Sequence, residues 1–213
     1  MRNLLLQIID AMIYTVPIVL ISLTFHEVAH GFVAYRLGDP TAKNQGRLTL
    51  NPMRHLDPIG TISMILFRFG WAKPVPINPY YFKHRKRDIA LVSIAGPAIN
   101  LILGFFGILM FHICIRVPFL ARIDYVINFF QIFAILNVGL AVFNLIPFPP
   151  LDGSKILGII LPDKIYYKVL NYEVYGQIFL FIALYFGWLS RPLSVARGFV
   201  ISGMENLILK IMP

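Results

Sequence analysis

The sequence predicts a membrane protein, mainly α-helical: a polytopic bundle of about four to five transmembrane helices, with a short membrane-associated β-hairpin region after the first helix. Three observations predict it. The 213 residues are 58% hydrophobic and 14% charged, against about 45–50% and 25% in an average soluble domain. Two stretches of 27 residues, between Asp88 and Arg116 and between Asp124 and Asp152, hold no Asp, Glu, Lys or Arg. The cations of a chain with net charge +9 gather between the apolar blocks, as membrane topology requires. That placement accounts for the charge without nucleic acid.

Taken in order, Leu4–Phe25 is apolar except for Gln7 and Asp10, and helix can continue to Leu37, where Gly38-Asp39-Pro40 stops it. No small-x-small cleavage site follows, so this is read as a retained span and not as a signal peptide. The connection from Arg36 to Asp88 contains an alternating run, Arg47–Asn51, and an apolar, partly β-branched run, Ile62–Phe69. These are the expected hairpin strands. Lys73-Pro-Val-Pro-Ile-Asn-Pro79 cannot be a central strand, because its prolines lack the N–H donor. The two charge-free blocks supply two further spans. Val174–Ser190, with Trp188 and several tyrosines, is a shorter one, and 195–212 is either an interfacial helix or a weak span. The Lys/Arg-rich first and third connections mark the cytoplasmic side. The N-terminus is then external.

Chemistry enters at His26-Glu27-Val28-Ala29-His30. Positions i and i+4 share a helix face, so His26 and His30 can offer two imidazoles to one metal. Glu27 lies beside them as general base toward a metal-activated water. Ionisable residues inside a membrane are costly and usually functional. Catalytic zinc sites commonly have three protein ligands and one open position. Asp152 is the best third ligand. It follows Pro147, Pro149 and Pro150, which break the helix, and precedes Gly153; its alternative role is the N-cap of a short helix.

These motifs resemble those of the site-2 protease family of intramembrane zinc metalloproteases. His26–His30 matches the family's first motif, and Asn144 through Gly153 its second, in which an Asn precedes the aspartate by eight residues. Ala95-Gly-Pro-Ala-Ile-Asn100 resembles a further element on the intervening helix. The resemblance implies one zinc ion per chain on His26, His30 and Asp152, Glu27 as catalytic acid/base, and Asn144 holding the oxyanion. The chain is read as a single domain over 1–213, with a catalytic core at about 10–160 and C-terminal helices at about 172–213; it departs from many members of that family in showing no PDZ or CBS module, and so is expected to be a minimal form. The expected partners are the lipid bilayer and a membrane-protein substrate with a transmembrane helix. The expected location is a bacterial-type plasma membrane, with the active site toward the cytoplasm. His55 and Asn100 are read as substrate-contacting or ligand-supporting groups. An edge strand at 47–50 or 61–67 is expected to clamp the unwound substrate by strand addition. The rival reading is a membrane metal-ion carrier using the same His/Asp cluster.

Overall fold

A computed structural model describes residues 2–60, 63, 72–162, 164–166, 168 and 172–212, with side-chain surroundings from residue 12 onward. Helix α1 runs Arg2–Arg36. It ends at Gly38, whose φ of 107° is open to glycine without strain. The Gly38 N–H bonds Tyr35 O at 3.1 Å and the Asp39 N–H bonds Ala34 O at 2.9 Å, the paired bonds that satisfy a helix's last carbonyls. A single turn, α2 (Thr41–Asn44), follows. Helix α3 spans Arg85–Arg116, and Asp88 at its start accepts the His84 N–H at 2.9 Å. Helix α4 spans Asp124–Asn144, and α5 spans Asp152–Ile160. Helices α6 (Glu173–Tyr185) and α7 (Ser190–Ile211) close the chain.

Helix α3 is the central element, packed on α1, α4 and α5. Its antiparallel approach to α4 depends on missing side chains. A β-carbon on Gly107 would lie 2.9 Å from the Ala134 amide nitrogen, and one on Gly104 would lie 2.6 Å from Val138 Cγ2. Small residues let helices approach closely where lipid offers no hydrophobic drive to associate. Within this antiparallel arrangement the end of α1, the start of α3 and the end of α4 meet on one side of the bundle. The cavity and metal-binding cluster described below lie toward that side.

Two expectations are corrected. Among the described residues there is no β-strand, so the hairpin region is absent there; an isolated bridge between Leu56 and Ala72 is the nearest approach to pairing. Arg47–Asn51 alternates in sequence but does not bury its apolar face, since Leu48 is half-buried beside Gly31 while Leu50 is 57% exposed. Several of its polar groups bond locally and not across a strand ladder: the Arg47 N–H bonds Ala42 O, Thr49 O bonds the His55 ring, and Thr49 Oγ1 accepts the Asn51 N–H. An edge strand at 47–50 is therefore ruled out, while 61–67 lies outside the described residues apart from Ser63. The span count also falls. Among the described residues, three helices are individually long and apolar enough to cross a membrane: α1 from Met12, α3 and α4. Helices α6 and α7 pass only as a pair bent by 86°, giving up to four spans. At 13 residues, α6 alone covers about 20 Å of a hydrocarbon core about 30 Å thick.

Candidate metal centre

His26 and His30 lie one turn apart on α1, and Asp152 begins α5. The sequence brings them together through two backbone devices. On α3, Gly96 faces the histidines: a β-carbon there would collide with His30 Nε2 and come within 2.6 Å of His26 Cε1. At the end of α4, Pro147, Pro149 and Pro150 prevent the helix from continuing. Gly153 then packs so closely on the Leu145 and Ile146 carbonyls that a β-carbon has no space. Asp152 occupies the first turn of α5, not its cap position, and its side chain turns to the histidines.

His26 Nε2 and His30 Nε2 are 3.0 Å apart, and each is 3.2 Å from Asp152 Oδ2. All three residues are buried. A tetrahedron of ligand atoms about 2.0 Å from a metal has edges of about 3.3 Å, so this triangle fits one ion. The tautomers make the same case. His30 Nδ1 lies 2.7 Å from Val92 O, which can only accept. His26 Nδ1 lies 2.6 Å from Asn100 Oδ1. Both rings therefore donate from Nδ1, and both Nε2 lone pairs converge on a carboxylate oxygen. Three lone pairs at this separation repel unless a cation lies between them. The Lys155 Nζ stands 3.6 Å from Oδ1, the oxygen turned away from the histidines.

A cavity of about 750 Å³ opens over this cluster. Glu27 lines it, with Oε2 accepting the Val75 N–H at 2.8 Å. That amide belongs to the proline-rich segment 73–79, which straps across one wall. The strap is held by Arg47 Nη2 on Lys73 O (2.8 Å), by the Lys73 N–H on His55 O (2.8 Å) and by the Asn78 N–H on Asp39 Oδ2 (2.6 Å). Asn144, the last residue of α4, also lines the cavity, and its amide donates to Leu140 O at 3.0 Å. Lys155, Glu173 and Gln177 add polar groups to the wall.

His55 is buried outside the cavity lining, with Nε2 2.8 Å from Thr49 O. It reaches the centre only through the strap. Asn100, by contrast, touches His26 directly. Asn137 was missed in the sequence. Fully buried, it contacts Asn100 at 2.9 Å. The available signal was its spacing: it lies seven residues before Asn144, two turns along one face of an otherwise apolar helix.

The family model described as peptidase family M50 matches residues 14–185. The chain belongs to peptidase family M50. Among curated relatives it is 45% identical over 183 residues to the putative zinc metalloprotease YwhC of Bacillus subtilis, covering 83% of this chain and 82% of that one. It is 34% identical over 143 residues to the putative zinc metalloprotease Rip2 of Mycolicibacterium smegmatis, and 32% over 144 residues to Rip2 of Mycobacterium tuberculosis. Those matches cover 63% and 65% of this chain and 52% and 53% of the relatives, so the chain spans about half the length of the Rip2 proteins. No solved structure matches it. With family, triad and long apolar helices together, this M50 chain is a multi-pass membrane metallopeptidase. The site-2 protease resemblance of its motifs is thereby borne out.

Proposed function

We propose that this M50 peptidase cleaves a peptide bond in or near a transmembrane segment of a membrane-protein substrate, with zinc held by His26, His30 and Asp152. The observation that carries the reading is the triangle of lone pairs beside Glu27, at the wall of a cavity that can admit water and chain. The donor set of two imidazoles and one carboxylate suits zinc and leaves a fourth position free. When bound, the ion supplies Lewis acidity to a water and to the scissile carbonyl.

Glu27 takes the proton of the attacking water and delivers it to the leaving amine. Its second oxygen stays fixed on the Val75 amide, which aims the carboxylate at the cavity. Asn144 sits at a helix end and needs only to release the Leu140 carbonyl to offer its N–H groups to the developing oxyanion. Lys155 keeps the outer oxygen of Asp152 turned away, so that one oxygen faces the ion. The catalytic core is the packed unit of α1, α3, α4 and α5, with α6 and α7 flanking it.

The active site faces the cytoplasm in this reading. The connections on the side of the cluster are those rich in Lys and Arg, and such loops stay inside. The bacterial relatives suit a bacterial plasma membrane. Glu27 separates this function from metal carriage, since a carrier has no use for a base.

The test is cleavage of a single-span model substrate by purified wild type and Glu27→Gln, with zinc content measured for both. Wild-type cleavage, its loss in the variant and about one zinc in each support the reading. Equal cleavage by both, or a wild type without zinc, overturns it.

A further inference from the structure

Asn137 is 0% exposed, in the middle of α4, and touches neither cavity nor triad. Its hydrogen bonds form a chain with a fixed direction. Phe133 O can only accept, so Asn137 donates to it from Nδ2 at 2.9 Å. That fixes the amide and turns Oδ1 toward α3. Asn100 donates from Nδ2 to this oxygen at 2.9 Å and, more weakly, to Ser22 O at 3.4 Å. Asn100 Oδ1 is left facing His26 Nδ1 at 2.6 Å. His26 must then carry its proton on Nδ1 and present a lone pair at Nε2.

We propose that Asn137 is a positioning residue for the metal centre, fixing the tautomer and ring orientation of His26 through the Asn100 amide. The inference rests on the zinc reading above. His30 provides the contrast, because its Nδ1 is held by the Val92 backbone carbonyl, which cannot flip. His26 depends on a side-chain amide that can. With Asn137 removed, the Asn100 Nδ2 group keeps only the 3.4 Å contact with Ser22 O to hold the amide's orientation. A flipped amide would point its N–H groups at Nδ1 and drive the ring proton to Nε2, on the metal's side. Three helices, α1, α3 and α4, are thus joined by one line of amides ending at a ligand. Outer hydrogen bonds of this kind orient metal-binding histidines, and losing them typically weakens metal binding 10–100-fold.

The experiment compares wild type, Asn137→Leu and Val138→Ala in detergent. Val138 is an equally buried neighbour that packs on Gly104 and lies off the amide chain. Zinc retention against a chelator and the visible absorption of the cobalt-substituted proteins are read, with thermal unfolding alongside. Asn137→Leu should hold zinc about 10–100-fold more weakly and show an altered cobalt spectrum. Val138→Ala should lose thermal stability but keep wild-type zinc retention and spectrum. If Asn137→Leu fails to fold, Asn137→Ser makes the same test. Its hydroxyl folds back on Phe133 O as Ser22 Oγ does on Ile18 O, which leaves Asn100 without its partner. A folded Asn137 variant with wild-type zinc retention and spectrum overturns the proposal, as does an equal loss in Val138→Ala. A wild type that takes up neither metal would instead overturn the zinc reading.

Discussion

The His30 imidazole fills the space where a β-carbon on Gly96 would be, with its Nε2 in contact with that position. This makes a helix–helix packing residue part of the metal geometry. Pro97 follows, and without an N–H it leaves the Ser93 carbonyl outside the helical ladder. One turn of α3 therefore combines an absent side chain with a relaxed backbone beside two ligands.

Gly96→Ala should consequently damage the metal site more than the fold. The added methyl must push His30 and His26 aside, and misplacing a reacting group by about 1 Å can cost about a hundredfold. The expected result is a monodisperse protein that loses zinc to chelator at least about tenfold faster and shows cleavage near background. Zinc content after chelator challenge, with size-exclusion elution as the fold control, checks it. Wild-type retention would show that the helices separate at little cost.

How much of this was legible beforehand differs by kind of residue. His26, Glu27, His30 and Asp152 were readable because ionisable side chains stand out in apolar helices and metal chemistry fixes their spacing. The prolines before Asp152 announced the turn that aims it. Asn137 carried only the weak signal of its two-turn spacing to Asn144, and the Val75 amide, a backbone group, carried none. The hairpin failed because alternation predicts a strand only where one face is buried and a partner strand satisfies the backbone. Arg47–Asn51 has neither. The bend between α6 and α7 was missed because hydropathy measures how apolar a segment is, not its direction.

Val75→Pro should separate the strap's chemistry from its shape. The neighbours Pro74 and Pro76 already constrain this extended segment, and the substitution deletes the N–H that Glu27 accepts. A hydrogen bond to a charged group is worth about 1.5–3 kcal/mol, so kcat should fall by about tenfold to a hundredfold. Zinc content should be unchanged, because no ligand touches Val75. Val75→Ala, which keeps the N–H, should retain most activity. Equal activity in the proline and alanine variants would remove the strap from the mechanism.

Gly153→Ala tests the other ligand. A β-carbon would lie 2.6 Å from the Leu145 carbonyl carbon, and both neighbouring carbonyl oxygens also block it. These are backbone atoms at the end of α4 and cannot rotate away, so α5 must move and carry Asp152 with it. The variant should lose zinc and cleavage together. Helix α4 also ends in Asn144, so any activity left at saturating zinc should still be depressed. Titrating zinc into the variant while following cleavage checks both parts. Full recovery at high zinc would limit the damage to Asp152.

Gly107→Ala should act on stability first. The methyl would press on the Ala134 backbone, 2.9 Å from its nitrogen and 3.1 Å from Cα, and overpacking of this kind typically costs about 1–3 kcal/mol. The melting temperature in detergent should fall by several degrees, on the order of 2–4 °C per kcal/mol for a chain this long. Gly107 lies two turns beyond Asn100 on α3, so moving α3 from α4 also stretches the contact between Asn100 and Asn137. Zinc retention should therefore weaken, but by less than in Asn137→Leu, where the bond is deleted and not merely lengthened. Adding zinc should restore part of the lost melting temperature, because an ion that binds only the folded state stabilises it by mass action. A large fall in melting temperature with zinc retention as in wild type would mean that the amide chain tolerates helix separation, and that His26 is held by its own helix.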